Sequence, residues 1–204
     1  MTDRLTEDQR DCLQELSNIA MGQAGDSLAR FLEVFVHLSV PQIQLLDTKA
    51  VTGALRNIED PHKPITAVGQ SFYDSHGRNG LHGEAIVIFS QSSADVLSKL
   101  LAEQDCSADE GLLDIANILV GACLNGLAEQ LESEFNYAAP TVIGHGVSCA
   151  SIFETGKLAW NTALLIEINY TFEEHKLCCN LVLIMPDRSV NGILNKIDEI
   201  LAAF

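Results

Sequence analysis

Basic side chains are scarce in this sequence. Its 204 residues include 12 lysines and arginines against 28 aspartates and glutamates, so the formal net charge is -16. A surface this acidic repels the phosphates of nucleic acids and the headgroups of anionic membranes. We therefore expect no nucleic acid and no membrane surface as a direct partner; a protein with an accessible cation fits better. Acidity also maintains solubility, so charge alone identifies no function.

Long apolar runs are missing as well. No stretch of 18 consecutive apolar residues occurs, and the N-terminal residues MTDRLTEDQR lack the apolar segment of a signal peptide. We expect a cytoplasmic protein without membrane insertion. The six cysteines have no CxxC spacing and lie in apolar helix or strand patterns, which favours reduced core thiols over a disulfide framework.

The sequence also lacks the signatures of several enzyme classes. Neither GxxxxGK[ST] nor GxGxxG occurs, so these nucleotide-binding motifs are excluded. The six histidines are scattered and form no HxxxH pair. We therefore expect no metal site and no cofactor of the chain's own.

An internal repeat is the strongest positive feature. A shift of 99 positions superimposes four pairs of residues without a gap: Glu15 on Asp114, Asn18 on Asn117, Gly22 on Gly121, and Pro41 on Pro140. Repeats of this kind indicate duplicated structural units. We predict one domain spanning residues 1–204, made of two similar halves at about 1–103 and 104–204.

Each half has the pattern of a long helix followed by strands. Thr6 and Gln9 resemble a capping box, and apolar residues recur at helical spacing from Leu13 to Phe35, so we predict a first helix from near Thr6 to about Val36. Six β-rich segments lie outside the helical patterns. The expected fold is α/β of the α+β kind, with two long helices laid on a six-stranded antiparallel or mixed sheet.

The repeat preserves a polar stripe on each long helix. At about 100° per residue, four side chains share one narrow face of each helix. The members are Asp11, Glu15, Asn18 and Gly22 on the first helix, and Glu110, Asp114, Asn117 and Gly121 on the second. Both stripes point away from the apolar side, so we expect them to be exposed. Asparagine and glycine are poor helix formers, and their recurrence favours function over stability.

Few kinds of chemistry suit such a stripe. A nucleophilic enzyme needs an activating base, and a hydrolytic metal site needs more ligands than one carboxylate and one amide. An amide can orient a water molecule, as a glutamine does in some GTPases, and a carboxylate can dock on a cation. The stripe is therefore suited to completing the active site of another protein.

The pattern Asp-x3-Glu-x2-Asn-x22-Pro, formed by Asp11, Glu15, Asn18 and Pro41, resembles the motif of the CheC/CheX/FliY family of chemotaxis phosphatases. Two copies in one chain without an appended domain are most similar to the CheC type. The resemblance implies a pseudo-twofold CheC-like fold, with two long helices on one face of a six-stranded sheet. It also implies hydrolysis of the aspartyl phosphate of a phosphorylated CheY-type response regulator.

The resemblance further implies a role for each stripe residue. The acidic residue of each copy would dock on the regulator's active-site lysine, and the asparagine would place the attacking water, while the Mg²⁺ would belong to the regulator. The implied catalytic residues are Glu15, Asn18, Asp114 and Asn117, with Asp11, Gly22, Glu110 and Gly121 contacting the partner. Asp114 departs from the usual glutamate and is one methylene shorter, which reduces its reach.

Three non-catalytic alternatives remain open. The stripes could be docking surfaces of a non-catalytic adaptor that binds a response regulator, or of a component related to the flagellar switch. Relatives of the CheC type also pair with CheD, which would make partner binding the main role. Turnover separates these possibilities, because only the phosphatase needs the asparagines for a chemical step.

Overall fold

The structure is a computed structural model that describes residues 5–33, 35–47, 50, 63–75, 81–102, 107–148, 151–152, 162–172 and 177–203. The main elements of these residues follow in chain order. They are α1 (Glu7–Leu32), β1 (Val36–Leu38), β2 (Gln42–Asp47), β3 (Ile65–Asp74), β4 (His82–Ser90), α2 (Gln91–Ala102), α3 (Ala108–Gln130), β5 (Phe135–Tyr137), β6 (Thr141–Val147), β7 (Thr162–Phe172), β8 (Leu177–Pro186) and α4 (Asp187–Leu201).

The element order of the first half recurs in the second, and one antiparallel sheet joins the two halves. The strands run in the order β1-β7-β8-β4-β3-β5, with β2 beside β1 on β7 and β6 beside β5 on β3. At the centre β4 pairs with β8, where Ile86 lies opposite Val182. Each hairpin therefore contributes one central strand, and each outer pair of short strands follows a long helix.

In the part of the chain that the structure describes, the sheet has eight strands rather than the six that the sequence predicted. The two additional strands, β1 and β5, are each three residues long and precede Pro41 and Pro140. Each pairs with the same strand as its successor, because the chain leaves the ladder briefly and rejoins it after the proline. Three residues are too few to produce a recognisable alternation in the sequence.

Both long helices lie on one face of the sheet, as expected. Their apolar residues form one cluster with alternate residues of the strands, among them Val87, Ile166 and Leu181. The helices also pack closely on each other, because a Cβ on Gly126 of α3 would lie 2.6 Å from the Cα of Ala20 on α1. This packing fixes the position of the two polar stripes relative to the sheet.

The first helix begins as predicted and ends earlier than predicted. Thr6 and Gln9 form the expected capping box, whereas Glu33 adopts a left-handed conformation with φ of 54° and terminates α1. Phe31 and Phe35, assigned to the apolar side from the sequence, are 48% and 65% exposed. The core-facing stripe of α1 is therefore shorter than its apolar pattern.

The helix α3 is apolar enough, by length and composition, to cross a membrane. However, 67% of its most apolar 18-residue window is buried inside the fold. Leu119, Val120 and Leu124 are each 0% exposed within the core. A central helix of a folded domain passes the same composition test, so α3 is a core helix here.

Candidate functional site

Seven of the eight stripe residues are exposed, as the sequence predicted. The exception is Gly121, which is buried. We refer to the stripe on α1 as site 1 and to the stripe on α3 as site 2. The exposed residues of both sites lie on the surface of the two helices, where another protein can reach them.

Site 1 presents polar groups that have no partner within the described part of the chain. The side chains of Asp11, Glu15 and Asn18 take part in no hydrogen bond or ion pair there. Nearby, the amide of Gln14 donates to the carbonyl oxygen of Pro41 at 3.2 Å, which ties the proline of the motif back to α1. Both Glu15 and Asn18 are thus available to an incoming partner.

A groove of about 500 Å³ lies beside site 1, between the start of α1 and the end of α4. Its carboxylates come from α1, and its apolar lining comes from both helices. The lining residues are Asp8, Asp11, Cys12, Glu15, Leu16, Gln130, Ile200 and Leu201. The Glu15 side chain therefore borders an apolar depression with a negative rim.

Site 2 holds its asparagine in place from below. The Nε2 atom of Gln70, on β3, donates to Oδ1 of Asn117 at 3.1 Å and to the carbonyl oxygen of Ala138 at 2.8 Å. Gln70 is 2% exposed. Asn117 is consequently anchored to the sheet, while its Nδ2 group remains on the exposed side.

The pseudo-twofold symmetry of the two halves places an apolar residue at the position equivalent to Gln70. Ser39 donates its N–H to the carbonyl of Asn169, just as Ala138 donates to the carbonyl of Ser71. Asn169 therefore corresponds to Ser71, and the preceding residue, Ile168, corresponds to Gln70. Ile168 is 0% exposed and carries no hydrogen-bonding side-chain atom, so it cannot hold Asn18.

The glycines of the two sites also have different surroundings. A Cβ on Gly22 would have nothing within 4 Å, whereas a Cβ on Gly121 would lie 3.8 Å from the hydroxyl oxygen of Tyr137. That hydroxyl donates to Oδ1 of Asn125 at 3.2 Å. The exposure expected for Gly121 was wrong because Tyr137 covers it, which argues against direct contact of a partner with Gly121.

Glu110 has a structural task that Asp11 lacks. Its Oε2 atom accepts from the N–H of Ser107 at 3.0 Å, and its own N–H donates to Oγ of Ser107 at 3.2 Å. This reciprocal pair is a capping box at the start of α3. The stripe positions of Asp11 and Glu110 match in sequence but differ in position relative to the helix start.

Two important residues were missed from the sequence. Gln70 interrupts the apolar side of β3 between Val68 and Phe72, both in the core, and a polar residue on a core-facing strand position was a usable signal. Tyr137 gave no comparable signal, since an aromatic residue after a helix is common. The capping box of Ser107 and Glu110 could also be recognised from the sequence, by its residue types and spacing.

Among the described residues, Cys12 and Cys123 are free thiols, and Cys179 is buried in the core. Burial raises the pKa of Cys123 to about 12. Cys106, Cys149 and the side chain of Cys178 lie outside the described residues. Among the side chains that the structure places, no group of three or more His, Cys, Asp or Glu is arranged to hold a metal ion.

No protein-family profile matches the sequence, and no curated protein is significantly similar to it. Solved structures share its fold. FliY from Thermotoga maritima superimposes with a TM-score of 0.66 at 17% identity, over 96% of this chain and 98% of that chain. The FliM middle domain from H. pylori gives 0.62 at 13% identity, over 94% and 99%.

A third structure, from Desulfovibrio vulgaris Hildenborough and described as a chemotaxis protein, gives a TM-score of 0.53 at 14% identity, over 84% of this chain and 96% of that chain. These comparisons confirm the expected CheC/FliY-like fold, apart from the number of strands. At such low identities they establish the fold alone.

Proposed function

We propose that this protein is a cytoplasmic phosphatase that hydrolyses the aspartyl phosphate of a CheY-type response regulator. The observation that carries the proposal is the repeated pair of an exposed carboxylate and an asparagine, three residues apart on each long helix. Neither helix offers an activated nucleophile beside the pair. The pair is suited to act on a substrate whose active site is otherwise nearly complete.

In this mechanism Glu15 or Asp114 docks on a lysine in the active site of the regulator. Asn18 or Asn117 then enters that site and orients a water molecule in line with the bond between phosphorus and the aspartate oxygen. The water oxygen attacks phosphorus, the bond to aspartate breaks, and inorganic phosphate and a free carboxylate result. The Mg²⁺ that neutralises the developing charge belongs to the regulator, so this chain needs no cofactor of its own.

The amide contributes to the transition state rather than to ground-state binding. Holding a water in line removes orientational freedom that the uncatalysed reaction must lose at its barrier. The carboxylate contributes mainly to affinity, because its ion pair with the lysine forms on docking, before the chemical step. An exposed ion pair of this kind is worth about 0–1 kcal/mol. Loss of the asparagines should therefore abolish turnover and leave docking largely intact.

The alternative is a non-catalytic role. FliM middle domains share the fold, so a switch-related component or a regulator-binding adaptor is compatible with the same architecture. A CheD-type partner is a further possibility under this alternative. In each case the two stripes would act as docking surfaces only, and the asparagines would matter for affinity rather than for rate.

The deciding experiment measures the decay of CheY-type regulators labelled with acetyl phosphate, with and without this protein. Asn18→Ala/Asn117→Ala is compared with the unaltered protein, and affinity is measured in parallel on the beryllofluoride-activated regulator. We expect accelerated decay that is lost in the double variant at nearly unchanged affinity. A regulator that binds without faster decay would establish the adaptor role instead.

A further inference from the structure

We propose that Gln70 is a positioning residue for Asn117, and that the two sites are consequently unequal in turnover. This inference rests on the proposed phosphatase function and extends it to a residue outside the motif. It follows from the hydrogen bonds beneath Asn117, which have no equivalent beneath Asn18 in the part of the chain that the structure describes.

The orientation of the Gln70 amide is set by a backbone group. The carbonyl oxygen of Ala138 can only accept a hydrogen bond, so the Nε2 group of Gln70 must face it at 2.8 Å. The second hydrogen of the same nitrogen then points to Oδ1 of Asn117 at 3.1 Å. Rotating the Gln70 amide by 180° would place two oxygens against each other at Ala138.

The same contacts determine which atoms of Asn117 face a partner. Because Oδ1 accepts from Gln70, the Nδ2 group is turned toward solvent, with one lone pair of Oδ1 still available. The side chain is held in one rotamer before any partner arrives. Asn18 has no such anchor among the described residues, so it must be ordered after docking, on the way to the transition state, at a cost in conformational entropy.

Stability alone does not explain Gln70. Its Oε1 atom is buried and has no hydrogen-bond partner, which costs stability relative to an apolar residue. Ile168 at the equivalent position shows that this fold accepts an apolar side chain there. The buried amide of Gln70, with one unsatisfied oxygen, is instead explained by its hydrogen bond to an exposed asparagine.

The two sites therefore differ in affinity and in turnover. Site 2 combines a short carboxylate, Asp114, with a preorganised amide, so it docks weakly and turns over quickly. Site 1 combines a longer carboxylate, Glu15, with an amide that has no anchor among the described residues, so it docks more tightly and turns over slowly. Preorganisation raises kcat and docking lowers KM, because only the first acts at the transition state.

The test isolates each site. Asn18→Ala leaves site 2 active, Asn117→Ala leaves site 1 active, and Gln70→Ile is added to each, since isoleucine is the residue at the equivalent position 168. With site 2 alone we expect kcat to fall about tenfold and KM to change less than twofold. With site 1 alone we expect kcat to be retained, which also shows that Gln70→Ile folds.

An unchanged kcat at site 2 would overturn the proposal. Equal losses at both sites would overturn it as well, because they would show a general structural effect. A separate measurement covers failure of the phosphatase function itself. Heteronuclear NOE values of the side-chain amides should show Asn117 more ordered than Asn18, with the difference removed by Gln70→Ile. Equal order of the two amides in the unaltered protein would refute the positioning role.

Discussion

Tyr137 lies over Gly121, with its hydroxyl oxygen 3.8 Å from the point where a Cβ would be, while the matching point on Gly22 has nothing within 4 Å. Two glycines at equivalent positions of a repeat thus have opposite surroundings. At site 1 the equivalent residue, Leu38, lies against Gly25 instead, with its Cδ1 atom 2.9 Å from the point where a Cβ would be. A partner can approach the backbone of α1 more closely than that of α3.

We predict that Gly22→Ala stabilises the fold and weakens docking. Alanine in a helix interior is favoured over glycine by about 0.5–1 kcal/mol, and no neighbour obstructs the new methyl group. The same methyl group would obstruct a close partner. The free energy of unfolding, measured by chemical denaturation, should therefore rise, and the affinity for the regulator should fall. Gly121→Ala is the control, with unchanged affinity, and an unchanged affinity for Gly22→Ala would exclude close contact there.

Two substitutions of Glu110 should distinguish its role in capping α3 from a role in docking the regulator. Glu110→Gln keeps the capping box, since Gln9 performs the same task in α1, whereas Glu110→Ala removes one of its two hydrogen bonds. We expect Glu110→Ala to lower the free energy of unfolding by about 1 kcal/mol and Glu110→Gln to change it little. Reduced regulator affinity in the stable Glu110→Gln variant would show that the charge also contacts the partner.

Glu15→Lys should weaken regulator binding without loss of stability. Reversal of an exposed charge removes an attraction to the partner's lysine of about 0–1 kcal/mol and adds a repulsion of similar size, so we expect a roughly three- to tenfold weaker affinity. The effect should shrink at high ionic strength. Asp95→Lys, an exposed acidic residue of α2, is the control for net charge. Equal affinity of the two variants would argue against docking through Glu15.

Stability should fall above pH 9 because of a buried thiol. Burial raises the pKa of Cys123 from 9.0 to about 12, so the unfolded chain releases this proton first and unfolding is favoured as pH rises. The contribution of Cys123 is complete below pH 9 and is smaller by about 1 kcal/mol at pH 10. Urea unfolding at pH 8 and pH 10 should show a smaller difference in Cys123→Ala.

The half-buried Cys12 provides the control for that experiment. Burial also raises the pKa of Cys12, but this thiol is only partly removed from solvent. Burial, with a further contribution from Cys123 and Cys179, raises the pKa of Tyr170, which adds to the loss of stability at still higher pH. A pH dependence equal in Cys123→Ala, Cys12→Ala and the unaltered protein would contradict the assignment to Cys123.

Local features of the fold were predictable because they depend on neighbouring residues. The capping box of Thr6 and Gln9 and the exposure of Glu15 and Asn18 follow from spacing along one helix. The short strands β1 and β5 were not predictable. Three residues carry no period, and each strand exists only because a longer strand of the sheet offers it hydrogen-bonding groups.

By itself, the sequence determined the repeat, the two long helices and the polar stripes, because a helical period depends on residues that are close together in the sequence. Only the tertiary structure decided how alike the stripes are. Gln70 is 47 positions from Asn117, and Ile168 takes its place beneath the other half. Tyr137 covers Gly121, whereas nothing lies within 4 Å of the point where a Cβ on Gly22 would be. Such differences arise from side chains that the sheet brings to the helices from distant parts of the chain, so two similar motifs occupy two different environments.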